Sequence, residues 1–461
     1  MSKSSMATFA ILGVVAALMT WGLYVNNARL NTKRVRKKVL AIATTAAPLF
    51  SASDISVLHS EHDIARREYA RVVETLDTIR KENEGLKYVY IIRPTDEVNM
   101  FEFAADSYGL DLDKGIDFNN DGILGEEDEI PVPGMPYDVS EIPALQKGVE
   151  EPSADEEPFS DQWGTFISGF APIKDNEGNT VAVLGVDRIA NDVQELTFGT
   201  FSPGYYFIGF FFFVFIRMVA FHNSLTKELL VLIRKKGVIV ITVICAATSL
   251  MITSGLYYYS KSINTQRIRE RVIAIAATAA PEINGEETKK ILSWQDSIKP
   301  EYEKLINQLN SIRDRNPDIV YAYIMRPTND INFFEFVVDA DSINLNSRED
   351  LNEDGLVNDM VSPGQLWLDP YPQDSAFHRG LIEPTADNQP TPDLWGVWIS
   401  GHAPIRDNND KVVAVLGVDM FASDVEKLTK DSFNSIKYFS IFFTLLLGIS
   451  YVTFIKSYIT K

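Results

Sequence analysis

The chain repeats itself. GLYVNNARLNTKRVRKKVLAIATTAAP (Gly22–Pro48) matches GLYYYSKSINTQRIRERVIAIAATAAP (Gly255–Pro281), displaced by 233 positions. The same displacement carries YVYIIRPTDEVNMFEFAAD (Tyr88–Asp106) onto YAYIMRPTNDINFFEFVVD (Tyr321–Asp339). After a one-residue deletion, DQWGTFISGFAPIKDNEGNTVAVLGVD (Asp161–Asp187) falls on DLWGVWISGHAPIRDNNDKVVAVLGVD (Asp393–Asp419). A period this long is a whole domain rather than a solenoid repeat. Whatever the first half folds into, the second half must fold into again.

Each half is bracketed by apolar stretches long enough to test against a bilayer core, which needs about 20 helical residues. They lie at 7–25, 205–221, 238–258 and 438–455, and the third carries no charge. The second contains Arg217, close enough to a helix end to snorkel. A signal peptide is the alternative reading of the first. Four spans place the segments 27–200 and 259–432 on one side, joined through a connector at 222–237. Lys227, Arg234, Lys235 and Lys236 favour a cytoplasmic connector, whereas Arg29–Lys38 and Arg267–Arg271 pull the other way, so the positive-inside rule is divided. The mean hydropathy of −0.04 thus averages apolar spans with acidic domains. A net charge of −20 argues against a nucleic-acid partner. The lone Cys245 excludes a disulfide framework or a cysteine-rich metal site.

Each segment between spans reads as mixed α/β. Apolar residues at helical spacing predict helices over Ile64–Glu84 and Tyr302–Arg315. YVYIIR alternates Tyr88, Tyr90 and Ile92 against Val89, Ile91 and Arg93, and MFEFAAD follows after a turn, which predicts a hairpin. Two further strands are expected at Gly164–Ile173 and Thr180–Asp187, separated by the turn residues KDNEGN. Closing helices are expected at Ala190–Thr197 and Ala422–Thr429.

The run YVYIIRP, FEFAAD, DQWGTFISGFAPIKD and VAVLGVD between two spans resembles the extracytoplasmic PAS-like (Cache) sensor domains of bacterial transmembrane receptors. The resemblance covers nearly all of both loop domains. It implies a long N-terminal helix on a central antiparallel sheet, a small ligand bound on that sheet, and a signal passed through the closing helix into the next span. In that family such domains precede histidine kinases, diguanylate cyclases or chemoreceptor output modules. None follows either span in this sequence, so the resemblance implies a separate kinase or cyclase partner, and a homo-oligomer is one arrangement in which to meet it.

Asp117–Asp128 reads DFNNDGILGEED. Side-chain oxygens at positions 1, 3 and 5 (Asp117, Asn119, Asp121), Gly122 at 6, the Ile123 carbonyl at 7 and Asp128 at 12 match the spacing of a calcium loop. The second copy retains Asp350, Asn352, Asp354, Gly355 and the Leu356 carbonyl, but puts Val361 at the closing position, which predicts weaker binding. Residues 96–161 hold twenty Asp and Glu against two Lys, a surface that needs cations and fits calcium outside the cell. A solvated acidic loop is the simpler alternative.

Arg93 with Asp106, and Arg326 with Asp339, are candidate pairs for the carboxylate and amine of a small metabolite. Tyr88, Tyr90, Tyr321, Tyr323, Trp163 and Trp395 are candidate walls, and Asp187 and Asp419 end the VLGVD strands as further candidates. Structural ion pairs, core aromatics and a helix cap are the alternatives. The five histidines show no metal spacing, and no phosphate loop or nucleophile elbow is present. The expectation is a non-enzymatic membrane sensor of small molecules or calcium. The competing expectation is a calcium-stabilised surface or scaffold protein using the same fold.

Overall fold

The computed structural model describes residues 3–118, 124–125, 128–190, 254–255, 257–342, 361–367, 370–393 and 395–430, with residues 3–20, 22–23, 26 and 113 described by backbone alone. The chain divides into two compact units: Met1–Asn31 with Val193–Thr265 and Val425–Lys461, and Thr32–Asp192 with Gln266–Asp424. In the first unit the described residues are helical. The Tyr259 hydroxyl donates to Asn27 Oδ1 (3.0 Å), and Asn264 Nδ2 donates to Thr429 Oγ1 (3.3 Å). Among the described residues no helix is long and apolar enough to cross a membrane. The stretch 7–25 falls on helical backbone, whereas 205–221, 438–455, most of 238–258 and the connector 222–237 lie outside the described residues.

The second unit holds two antiparallel sheets built to one plan. The first contains β1 (Tyr88–Pro94), β2 (Met100–Asp106), β3 (Pro136–Asp138), β4 (Ser153–Ala154), β5 (Phe159–Asp161), β6 (Gly164–Lys174) and β7 (Thr180–Ile189), in the order β3-β2-β1-β7-β6-β4 with β5 also on β6. The second contains β8 (Tyr321–Pro327), β9 (Phe334–Asp339), β10 (Thr385–Ala386), β11 (Thr391–Pro392), β12 (Val397–Arg406) and β13 (Val412–Phe421), in the order β10-β12-β13-β8-β9 with β11 also on β12. Both central hairpins carry a bulge at the same place, Ile91/Ile92 and Ile324/Met325, and both long hairpins carry one at Ile173/Lys174 and Ile405/Arg406. The duplication therefore extends to backbone irregularities, which bend strands and re-aim side chains.

One face of each sheet is covered by helices. The helix Arg67–Glu82 buries Tyr69, Val72, Val73, Leu76 and Ile79, and the helix Pro300–Arg315 buries Tyr302, Leu305, Ile306, Leu309 and Ile312 at the same spacing. The first helix begins three residues later than expected. Asp63 instead closes a 3₁₀ turn, Glu61–Ala65, by accepting from the His59 and Ser60 amides (3.0 and 2.9 Å), and the extended Arg66 separates that turn from the helix. The long helices, Lys3–Ala46 and residues 257–279, lie against β6 and β12. A Cβ on Gly169 would stand 2.6 Å from the Val39 carbonyl, and one on Gly401 would stand 2.5 Å from that of Val272. Only glycine lets helix and strand backbones approach so closely. The expected closing helix appears at residues 423–430, while its first-domain counterpart lies outside the described residues beyond Ala190.

Candidate ligand-binding cavity

The opposite face of each sheet carries the aromatic residues. In the second domain they surround a cavity of about 450 Å³, within the size range of small-molecule sites. β8 supplies Tyr321 and Tyr323, β9 supplies Phe336 and Asp339, β12 supplies Trp398, Ser400 and His402, and β13 supplies Asp419. Residues 361–371 and 387–395 add Trp367, Tyr371, Asp387, Asp393 and Trp395. Trp367 stands 5.4 Å from Trp395 and stacks on Tyr371 at 5.8 Å, while Tyr321 meets Trp398 edge-on at 5.0 Å. The Tyr323 ring lies over Gly417 of the neighbouring strand, where a Cβ would approach it to 2.3 Å.

Four carboxylates face this aromatic box, and no Lys or Arg is among its described lining residues. Asp419 accepts from the Tyr323 hydroxyl (3.2 Å), Asp339 from the Asp341 amide (2.8 Å), and Asp387 from the Ser400 amide (3.2 Å). Asp393 Oδ1 accepts from the Trp395 and Gly396 amides and from Trp398 Nε1 (2.8, 3.0 and 2.8 Å). These bonds fix the acids but do not neutralise them. Burial pushes the Asp419 carboxyl well above its ordinary range, Asp339 up to about 7, Asp387 up to about 6 and Asp393 upward. Burial likewise lowers His402 to about 3, so the imidazole is neutral. His402 Nδ1 and Trp395 Nε1 are buried without hydrogen-bond partners among the described residues. Such orphaned polar atoms are costly unless something else supplies their partners.

In the first domain the same face is nearly shut, leaving about 20 Å³, room for about one water and far short of a small-molecule site. Tyr88 is packed by Tyr108, Phe118 and Phe166 at 6.1, 5.5 and 5.6 Å. Tyr137 donates to Asp161 (2.8 Å), and Trp163 Nε1 donates to the Glu129 carbonyl (2.8 Å). Tyr108 and Phe170 stand where the second domain has Asp341 and His402. Three buried acids and the half-buried Asp161 remain: burial raises Asp106 to about 7, Asp155 to about 6, and Asp161 and Asp187 upward.

Among the expected site residues, the structure gathers Tyr321, Tyr323, Asp339, Trp395 and Asp419 around the open cavity, and Tyr88, Tyr90, Asp106, Trp163 and Asp187 around the closed one. Arg93 and Arg326 are not there, which corrects the expected Arg–Asp pairs. Arg93 pairs with Glu102 across the strand (2.7 Å) and donates to the Ile55 carbonyl (3.2 Å); Arg326 pairs with Glu335 (2.6 Å) and donates to the Ile291 carbonyl (2.7 Å). Strand alternation sends them to the face opposite the tyrosines. Asp187 and Asp419 lie inside strands that run on to Ile189 and Phe421, so neither caps a helix. Sequence reasoning missed Asp387, Asp393, Trp367, Trp398 and His402. The available signal was His402 itself, a polar residue where the repeat has Phe170.

The candidate calcium residues Asn119, Asp121, Ile123, Asp350, Asn352, Asp354 and Leu356 lie outside the described residues. Asp117 is described, and Asp128 closes its loop on backbone, accepting from the Phe118 and Gly125 amides (2.6 and 3.1 Å). Val361, at the closing position of the second copy, is a buried apolar wall of the cavity. Among the described residues no group of three or more His, Cys, Asp or Glu is placed to hold a metal.

No family model matches the chain, and no curated protein matches it. Solved structures similar to it include the ligand-binding domain of the Campylobacter jejuni chemoreceptor Tlp3 in complex with 4-methylisoleucine, at 16% identity and a TM-score of 0.21, covering 40% of this chain and 63% of that one. The sensory domain of the same receptor matches at 16% identity and 0.21, covering 40% and 65%, and its isoleucine-bound form at 16% and 0.20, covering 40% and 64%. The chain thus spans under two thirds of the length of these structures. The functional reading rests on the cavity itself.

Proposed function

We propose that the chain is a small-molecule sensor whose second domain binds a small organic cation, an amine or alkylated ammonium, in the cavity between Tyr323, Trp395, Trp398, Asp339 and Asp419. The observation that carries this reading is the aromatic box of about 450 Å³ lined by four carboxylates with no basic side chain among its described residues. Aromatic faces attract cations, and desolvated carboxylates regain a counter-charge when one enters. The absence of Arg326 from the box argues against a site built to clamp a carboxylate. Within the same reading both domains lie outside the cytoplasm, and occupancy is passed through the flanking apolar stretches to a separate kinase or cyclase. Calcium at Asp117–Asp128 is a stabiliser of the first domain, and the chain performs no catalysis.

The test uses the full chain in detergent micelles, with thermal-shift and calorimetric titrations against matched compounds: a primary amine, its trimethylammonium form, and the neutral alcohol and carboxylate of the same carbon skeleton. The amine or ammonium compound is expected to bind, with affinity reduced at least tenfold by Asp419→Asn and unchanged by Asp187→Asn. Preferential binding of the carboxylate, or no response to any cation, refutes the reading.

A further inference from the structure

Two buried hydrogen bonds join the first domain to the second. Asn83 follows the helix Arg67–Glu82; its Nδ2 donates to the Ile79 carbonyl (2.9 Å) and to Thr278 Oγ1 (3.0 Å). Asn316 follows the helix Pro300–Arg315; its Nδ2 donates to the Ile312 carbonyl (2.9 Å) and to Thr45 Oγ1 (3.1 Å). All four residues are nearly inaccessible, at 2, 1, 1 and 4% exposure for Asn83, Thr278, Asn316 and Thr45. Asn83 and Asn316 differ by the repeat displacement, and so do Thr45 and Thr278. Exchanging the two domains therefore turns each bond into the other. That reciprocity is the signature of an isologous two-fold interface, in which residue i meets j and j meets i.

The surrounding surface suits close apposition. The threonines sit among small residues, Ala43, Ala46 and Ala47 in one copy and Ala276, Ala277, Ala279 and Ala280 in the other, all at most 4% exposed. One contact breaks the symmetry. Arg34 of the first domain forms an ion pair with Glu270 of the second, and the repeat places Lys37 where Glu270 stands. Pairing two first domains would set Arg34 against Lys37 twice; pairing first with second keeps one such contact, Arg267 near Lys37, and replaces the other by attraction between Arg34 and Glu270.

We propose that the chain is a two-fold dimer fused into one polypeptide: the face formed by Thr45 and Asn83 is an interaction surface whose partner is the matching face, Thr278 and Asn316, of the same chain. The pairing is made in cis, and one chain carries one open and one closed cavity. The inference is independent of what the open cavity binds.

The experiment uses the full chain with Cys245→Ser and a protease site inserted in the connector at 222–237. Asn83→Cys with Thr278→Cys, and Thr45→Cys with Asn316→Cys, are produced under oxidising conditions so that the buried pairs can close as disulfides, cut, and run on non-reducing denaturing gels. Both pairs are expected to keep the halves joined at the mass of one chain. A band of two chains' mass, or cross-linking between mixed single-cysteine chains, shows pairing in trans and overturns the proposal. No product, while the Asp54→Cys and Arg71→Cys control within the first domain reacts, overturns it as well. Should the cysteine variants misfold, carbodiimide coupling of the unaltered chain decides. Lys37 and Asp318 interact electrostatically across this interface, and their cross-linked peptide, formed in a mixture of isotopically light and heavy chains, is expected only in light–light and heavy–heavy forms. Mixed peptides, or none, refute the cis interface.

Discussion

Replacing Asp339 by Asn should make the protein more stable and the cavity less able to hold a cation. Burial raises this carboxyl from 3.8 to about 7. A group whose folded-state value is raised above its unfolded value binds more protons in the folded chain, so it contributes a destabilisation that grows as pH rises. That destabilisation is absent below about pH 4 and complete above about pH 7. At about 1.4 kcal/mol per unit, the difference amounts to at most about 4 kcal/mol at pH 8. Asn keeps the Oδ1 that accepts from the Asp341 amide and removes the charge. The paired variant Asp106→Asn has the same raised value in the first domain and the same local bond, to the Tyr108 amide (2.8 Å). Chemical denaturation of the full chain from pH 4 to 8 is the assay. Trp294, Trp367, Trp395 and Trp398 all lie in the second domain and Trp163 in the first, so fluorescence reports chiefly on the domain with the open cavity. Relative to the parent, Asp339→Asn should gain nothing near pH 4, gain progressively to pH 7 and then hold level. Only Asp339→Asn should weaken amine binding. A variant less stable than the parent at pH 8, or one whose gain does not change with pH, refutes the account of the cavity as a store of unpaired buried charge.

The cavity's titration also sets its binding. Amine affinity should fall as pH drops from 8 through 6, because Asp339 and Asp387 take up protons near 7 and 6, and calorimetry in buffers of different ionisation heat should detect protons released on binding. Gly401→Ala and Gly169→Ala should each destabilise by roughly 1–3 kcal/mol in denaturant unfolding, because the new methyl meets helix backbone rather than a movable side chain. His402→Phe should raise thermal stability by removing a buried ring nitrogen with no partner, and should lower amine affinity; unchanged affinity would show that His402 lines the cavity without serving it.

Period-two alternation was enough to place both tyrosines of β1 and β8 on one face, and the matching strings were enough to show that the two sheets share a strand order. The same alternation already put Arg93 opposite Tyr88 and Tyr90; expecting it beside Asp106 ignored the strand's own geometry. Asp387 and Asp393 were harder to see. They lie in loop residues just after β10 and β11, whose approach to β12 depends on pairings such as Thr391 with Trp398, and no local pattern encodes those. The capping box of Ser60 and Asp63 was legible as spacing but hidden inside a longer helical periodicity. The interface was invisible for a different reason. Asn83 and Asn316 look like ordinary helix-ending residues, and only tertiary structure shows that each reaches the other copy's threonine.

Comparison of the two copies explains how one sheet face can be a core in one domain and a cavity in the other. In the first, Arg80 donates to the Tyr108 hydroxyl (3.0 Å) with its guanidinium 4.2 Å from the ring, and Tyr108 packs against Tyr88 and Phe118. In the second, Arg313 stands in Arg80's place and pairs with Asp341, which replaces Tyr108, so no ring is delivered towards Tyr321 from that position. The same contrast recurs at Phe170, which packs in the closed core, and His402, which brings a neutral polar ring to the open one. Trp163 has spent its N–H on Glu129, whereas Trp395 has not spent its own. Each change removes apolar filling from the second copy or leaves a polar atom there without a partner among the described residues. Buried acids occur in both domains, and in the first Tyr137 bonds Asp161 and aromatic rings fill most of the face. On the proposed reading, the acids of the second domain gain a counter-charge when a cation enters the cavity.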